Sequence, residues 1–366
     1  MSSNLRICHL TSVHLDGDIR IFHKMAKTMV NEFEVHVVVP NTKTRIQDGV
    51  NIHSFNAETQ IRRKRMKYTV DKVLAAALTI RADIYQLHDP ELLRIAPQLQ
   101  KTGAKVIFDS HEDVPKQIMD KFWIPWLFRT IISHFYKWYE QRVTKKLNGI
   151  ISVTPGICAR FEQYHKKVAL IRNFPLKSEF PIPDWSQKKG THFCYIGGLY
   201  ESRGIREVVL AMKDIDAVLH LAGTFDDPLL LSELQNSSSW NKVIYHGQVE
   251  REKIQQILSQ CSVGIVTLHP TPSYKEAYPI KMFEYLAAGC SVLASDFTLY
   301  RNLLQDSPFA SFVDPQDVDQ IARELKIFTT QHHQNFELGR KARSLFEAHY
   351  NGEKEAQKLK EFYFSI

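Results

Sequence analysis

The stretch Glu276-Ala-Tyr-Pro-Ile-Lys-Met-Phe-Glu284-Tyr-Leu-Ala-Ala-Gly289-Cys-Ser-Val-Leu-Ala-Ser295 is the most informative segment of this 366-residue chain. It predicts a loop, a helix from near Pro279 to about Ala288, a stop at Gly289 and a buried strand at Ser291–Ala294. Proline suits the first turn of a helix and glycine the position just past its end. A helix N-terminus presents unpaired N–H groups and the positive end of a dipole, which suits a phosphate. Lys281 adds a full positive charge in that first turn, where the dipole disfavours it, and a nearby anion would offset the cost. Carboxylates accept paired hydrogen bonds from vicinal hydroxyls, so Glu276 and Glu284 could hold a ribose and a sugar ring. The same residues also read as an ordinary amphipathic helix with solvated charges.

Outward from this segment, short Val- and Ile-rich runs alternate with helical patterns. Strands are expected at Leu5–Leu10, Glu34–Val39, Ile84–Leu87, Lys105–Asp109 and Gly149–Val153, with helices such as Ile19–Val30, Pro90–Gln100 and Thr130–Lys146 between them. The alternation restarts with strands at His192–Ile196, Ala217–Leu221, Val243–Tyr245 and Val263–Thr267. Alternation of this kind implies α/β architecture with parallel sheets covered on both faces. Two series imply two doubly wound domains, in line with a prior of ~150 residues per domain. The boundaries expected are 1–173, a Pro-rich linker at 174–190 and a second domain at 191–349, with a last helix at about 350–366 packing back on the first. Ligands of such sheets lie beyond the carboxyl ends of the strands, and with two sheets the cleft between them is the expected site.

Composition narrows the functions. Apolar residues are 44% and charged residues 24%, an ordinary globular balance that disfavours a disordered or fibrous chain. Lys+Arg 47 against Asp+Glu 40 leaves +7, which favours polyanions such as phosphates, nucleotides or an anionic membrane face. No apolar run reaches the ~18 residues of a transmembrane helix, and the start has no long h-region. Five scattered cysteines without a CxxC pair argue against a disulfide framework or zinc ribbon, so a cytoplasmic protein is expected.

Three further stretches carry chemistry. Tyr195-Ile-Gly197-Gly198-Leu-Tyr-Glu-Ser-Arg203-Gly204-Ile is a strand, a loop and a helix start. Its small residues would let a phosphate approach the backbone and Arg203 could pair with it, although a simple tight turn also explains the glycines. Lys105-Val-Ile-Phe-Asp109-Ser-His111-Glu-Asp-Val-Pro puts His111 at the carboxyl end of an inner strand. Asp109, His111, Glu112 and Asp113 could bind a metal but lack a helical i,i+4 ligand pair, and a buried, hydrogen-bonded histidine is the simpler alternative. Thr11-Ser-Val-His14-Leu-Asp16-Gly17-Asp18-Ile-Arg20 follows the first strand, and Asp18 with Arg20 is expected to cap and brace the next helix.

The Glu276–Ser295 stretch resembles the E-x7-E region of retaining glycosyltransferases of the GT-B fold, particularly glycosyltransferase family 4. The Glu276/Glu284 spacing, the Ala-Ala-Gly and the apolar strand carry the likeness, which extends in motif order over roughly residues 5–360. It implies two Rossmann-like domains, the first on the acceptor side and the second binding the donor. It implies that Glu276 lies by the donor sugar and that Glu284 binds the nucleotide ribose. Pro279-Ile280-Lys281 stands where many members have Gly-Leu-Pro, and any backbone contact there must come from Ile280 or Lys281 because Pro279 has no N–H. Gly197–Gly204 is similar to the family's Gly-Arg-Leu-x3-Lys-Gly segment. Arg203 takes the Lys position and Gly198 the Arg position, so one diphosphate cation is missing and Lys281 is its expected replacement. His111 matches the family's histidine at the donor sugar, with His88-Asp89 ending the preceding strand. His14, Asp16 and Gly17 fall where members keep an acceptor-side loop, and Gly223 and Gly247-Gln-Val fall near the nucleotide base.

The resemblance implies a sugar transfer with retention, from a nucleotide diphosphate sugar to a glycan or lipid-linked acceptor in surface polysaccharide or glycoconjugate synthesis. No metal or other cofactor is expected, since Arg203, Lys281 and helix N–H groups would neutralise the leaving diphosphate. The basic run Arg62–Lys67 and the aromatic patch Phe122–Phe128, with Trp123 and Trp126, suggest a peripheral contact with an anionic membrane. A solvated basic helix beside core aromatics is the alternative. Nucleic acid is disfavoured because the basic run has no interleaved aromatics. Rival readings are a nucleotide-sugar epimerase or phosphorylase on the same fold, and a non-catalytic membrane-binding subunit. A dinucleotide oxidoreductase is disfavoured because Ile7-Cys-His-Leu-Thr-Ser lacks GxGxxG.

Overall fold

In the computed structural model, β1 (Arg6–Leu10), β2 (Glu34–Pro40), β3 (Arg45–Gln47), β4 (Val50–Phe55), β5 (Ile84–Leu87), β6 (Lys105–Ser110), β7 (Gly149–Ser152) and β8 (Val168–Leu170) form one sheet. Its order is β3-β4-β2-β1-β5-β6-β7-β8, parallel except for β3 against β4. A second sheet holds β9 (Lys189–Ile196), β10 (Val218–Ala222), β11 (Val243–Tyr245), β12 (Cys261–Val266), β13 (Ser291–Ser295) and β14 (Ala310–Val313). Its order is β11-β10-β9-β12-β13-β14, all parallel. The structure describes residues 5–57, 68–119, 121, 124–330 and 332–366, with the backbone alone for 332–335.

The chain divides into two units, residues 1–173 with 352–366, and residues 174–351. In the first, apolar side chains from both faces of the sheet enter separate cores, one with Leu10, Tyr85 and Phe108, the other with Ile7, Val37 and Ile107. The helix Gly352–Ser365 completes the latter core with Leu359 and Tyr363, and the Tyr363 hydroxyl donates to Gln86 Oε1 at 2.5 Å. The second unit is likewise layered on both faces of its sheet.

Two features depart from the sequence reading. Residues 174–190 are packed into the second unit, where Phe174 and Phe180 are buried and Phe174 meets Phe283 edge-on at 4.6 Å. Proline marked irregular backbone there, but the aromatic side chains that precede Pro175 and Pro181 belong to a core. The short strands β3, β4, β8 and β14 lie outside the expected set; β3 and β8 have three residues each, too few to show a period.

Candidate active site

In the first unit the strand order reverses around β1, with β2 on one side and β5, then β6, on the other. Leu10 pairs with Leu87 and Leu87 with Phe108, so these three strands end side by side and their following residues converge. Asp109, fully buried on β6, is the hub. Arg20 grips it with Nη2 2.7 Å from Oδ1 and Nε 3.1 Å from Oδ2, while His88 Nδ1 and His111 Nε2 lie 3.1 and 2.9 Å from Oδ2. Burial alone would raise this carboxyl, but Arg20 and the histidines outweigh it and hold it well below the usual range.

That ionised hub fixes the protons around it. A carboxylate only accepts, so His88 carries its proton on Nδ1 and His111 on Nε2. His88 Nε2 then accepts from His9 Nδ1 at 3.0 Å, and the buried His9 Nε2 is left without a proton and, among the described residues, without a partner. Burial keeps both His9 and His88 below the ordinary imidazole value, which agrees with neutral rings. His88, Asp109 and His111 bring one ligand atom each within 4.8 Å of one another, a spacing that a metal ion could use; Glu112 and Asp113 are not in that group. An ion there would compete with Arg20, which already holds both Asp109 oxygens.

The residues after β1 form a second cluster. Asp18 caps the helix Ile19–Ala26, accepting from the N–H groups of Arg20 and Ile21, as the sequence suggests. The Arg20 side chain does not brace that helix; it reaches Asp109, 89 positions away, because a buried carboxylate binds a guanidinium more strongly than solvent does. Asp16 Oδ2 accepts from Thr42 and Arg45 at 2.5 and 2.7 Å, and Gly17 has open space on its Cβ side. His14 stands between Asp18 (Nδ1, 3.0 Å) and Asp89 (Nε2, 3.4 Å), and these hydrogen bonds raise it to about 10.

A raised histidine contributes stability that is complete below its unfolded value near ~6.5 and is lost as pH rises through about 10. Imidazole NMR of His14 is expected to show a midpoint near 10, falling when Asp18 is replaced by Asn. Titration at an ordinary imidazole value in the unaltered protein would refute the pairing.

In the second unit the reversal falls at β9, between β10 and β12. Gly197 and Gly223 follow β9 and β10 with φ of 134° and 148°, backbone that favours glycine. A Cβ on Gly223 would lie 1.8 Å from the Gly197 carbonyl oxygen, so the two loops touch through bare backbone. Arg203 ends a short turn, Glu201–Arg203; its guanidinium lies over the Tyr200 ring at 4.9 Å, with Nη1 3.4 Å from a Cβ built on Gly197. Its Nε is buried and has no hydrogen-bond partner among the described residues. Gly198 sits against the Tyr200 ring.

The helix Ile280–Ala287 starts at Pro279. It lies tight on β12 because Gly264 has no side chain; a Cβ there would be 2.1 Å from Tyr285 Cγ. The Tyr285 hydroxyl then accepts from the Ile196 N–H at 2.9 Å, tying this helix to the end of β9. Glu284 is fully buried, with Lys281 Nζ 2.7 Å from Oε2 and Arg251 Nη1 2.7 Å from Oε1. Burial would raise its carboxyl, and the two cations hold it below the usual range instead. Lys281 keeps 28% of its side chain exposed. Glu276 is exposed at the end of a helical turn, Pro272–Glu276, rather than in a loop, because Thr271 caps that turn and Pro272 opens it.

Arg251 is the residue that sequence reasoning missed. It also lies 3.4 Å from Glu179 and over the Phe180 ring at 5.1 Å. Nothing local signals this: it opens a polar helix, Arg251–Gln260, 33 positions from its carboxylate.

Residues 181–345 match the family model described as glycosyl transferases group 1, and residues 20–174 match that of glycosyltransferase family 4. Among solved structures, sucrose-phosphate synthase from Thermosynechococcus elongatus superposes with a TM-score of 0.76 at 17% identity, over 99% of this chain and 98% of that one. HepE from Anabaena, solved with UDP and glucose, gives 0.72 at 12% identity over 99% and 100%. Trehalose-6-phosphate synthase, from work on glycosyl transfer with retention, gives 0.71 at 12% over 99% of each. No curated protein matches the sequence. Two doubly wound units of this kind, superposing on these neighbours, define the GT-B fold. The chain belongs to the group 1, family 4-like glycosyltransferases. Among its described residues no helix is long and apolar enough to cross a membrane.

Proposed function

We propose that this glycosyltransferase moves a sugar, with retention of anomeric configuration, from a nucleotide diphosphate sugar to a glycan or lipid-linked acceptor of a surface polysaccharide or glycoconjugate. The observation that carries the reading is the convergence, at the strand reversal of the second unit, of Gly197, Gly223 and Arg203 with a helix bearing Lys281 and Glu284. HepE, solved with UDP-glucose, supports a donor of this class. Arg203 and Lys281 take the diphosphate, and no metal is required for that charge. Glu284 accepts the ribose hydroxyls; each of its oxygens binds one cation and retains a lone pair.

His111 and Glu276 act on the sugar. The acceptor oxygen bonds to the anomeric carbon as the bond from that carbon to the phosphate oxygen breaks on the same face. The departing phosphate oxygen takes the acceptor proton. Lipid-linked acceptors lie at a bilayer surface, so a peripheral contact with anionic membrane belongs to this reading. Arg62–Lys67 and Trp123, which suggested that contact, lie outside the described residues, whereas Trp126 is exposed.

The test is product analysis with UDP- and GDP-sugars. Transfer that requires acceptor and yields a product with the donor's anomeric configuration, read by proton NMR, is expected. Donor altered in the absence of acceptor would mean an epimerase, and an inverted product would overturn the mechanism.

A further inference from the structure

The helix Trp126–Thr144 in the first unit is turned inside out. Its buried residues are polar: Ser133, Glu140 and Thr144. Ser133 donates to the Pro115 carbonyl, Thr144 donates to the Glu140 carbonyl, and Glu140 pairs with Arg160. The large apolar side chains Leu127, Phe128, Ile131, Ile132, Phe135 and Trp138 are exposed, Phe135 by 66% and Trp138 by 54%. At 100° per residue these six fall within an arc of about 140°. Arg142, near the end of the helix, and Lys145 and Lys146 just beyond it continue that arc and are exposed. Arg142 lies over the Trp138 ring at 5.6 Å, joining the apolar part to the cationic part. The only acid in the helix, Glu140, is turned inward.

We infer that this face is a membrane-docking surface, lying in the plane of an anionic bilayer with Leu127–Trp138 in the acyl boundary and Arg142, Lys145 and Lys146 at the headgroups. A continuous exposed apolar patch of this kind calls for a partner. Its chemistry selects one. Trp and Phe favour the bilayer interface, and interfacial helices combine such a face with Lys and Arg that anionic lipid attracts. A second copy of the chain has no acid on this face to meet the three cations. The inference rests on the lipid-linked acceptor of the proposed function for its purpose, and on the helix alone for its evidence.

The experiment is sedimentation of the full chain with vesicles of phosphatidylcholine, alone or mixed with phosphatidylglycerol. Tryptophan fluorescence, nucleotide-sugar binding and molar mass by light scattering are measured in parallel. The unaltered protein is expected to bind the anionic vesicles with a blue-shifted emission. Phe135→Ser with Trp138→Ser should weaken that partition at least about tenfold, because two aromatic side chains no longer leave water. Arg142→Gln, Lys145→Gln and Lys146→Gln together should remove the preference for anionic over neutral vesicles. Both variants keep nucleotide-sugar binding. Failure of the unaltered protein to bind vesicles, or undiminished binding by the aromatic variant, overturns the inference whatever the donor results. So does a dimer that the aromatic variant dissociates. Loss of donor binding in the unaltered protein would instead strike the proposed function.

Discussion

Replacing Asp109 by Ala is expected to destabilise the first unit by about 3–5 kcal/mol, the usual cost of stripping one partner from a buried ion pair. Arg20 is itself buried, and apart from Asp109 its guanidinium donates to the Ile171 carbonyl. The loss would leave that cation without its carboxylate, and His88 and His111 without the acceptor that sets their protons. Removing both charges by Asp109→Leu with Arg20→Met should cost less than the single change, since replacing a buried pair by apolar groups is often close to neutral. Urea unfolding of the three proteins measures the difference. A loss below about 1 kcal/mol for Asp109→Ala would mean that the hub is not structural.

His111→Ala carries the second large effect, on rate rather than stability. His111 is one-fifth exposed and adds a single bond to Asp109, so the fold should survive its removal. If His111 acts on the sugar, turnover should fall about a hundredfold or more, the usual scale for a positioned catalytic group, while the affinity for free nucleotide diphosphate stays unchanged. Steady-state rates and calorimetry of the same variant separate the two. Parallel loss of rate and nucleotide affinity in a folded protein would place His111 at the nucleotide instead.

The inner strands were legible because parallel strands buried on both faces are nearly continuous apolar runs: Glu34–Pro40 holds four valines, and Cys261–Val266 is buried throughout. The helix Ile280–Ala287 was legible through its punctuation, with Pro279 before it and Gly289, at φ 66°, after it. What stayed hidden was partnership at a distance. Glu284 and Asp109 stood out as acids, but no local pattern says that Arg251 and Arg20 hold them. The Trp126–Thr144 helix shows a second kind of gap. Its apolar period marks a helix, and the ordinary inference would turn that stripe inward. The structure buries Ser133, Glu140 and Thr144 instead: Ser133 donates to the Pro115 carbonyl, Thr144 to the Glu140 carbonyl, and Glu140 pairs with Arg160 through Oε2.

The central claim is that the second unit binds the donor diphosphate through Arg203 and Lys281. Titration calorimetry of the responding nucleotide sugar against the unaltered protein, Arg203→Ala and Lys281→Ala tests it most directly. Each lost cation removes a charge-assisted contact of roughly 1.5–3 kcal/mol, so each variant should bind about tenfold more weakly or worse. Both variants should unfold as cooperatively as the parent, since among the described residues Arg203 makes no ion pair and Glu284 keeps Arg251 when Lys281 is gone. Unchanged affinity in both folded variants would contradict the account.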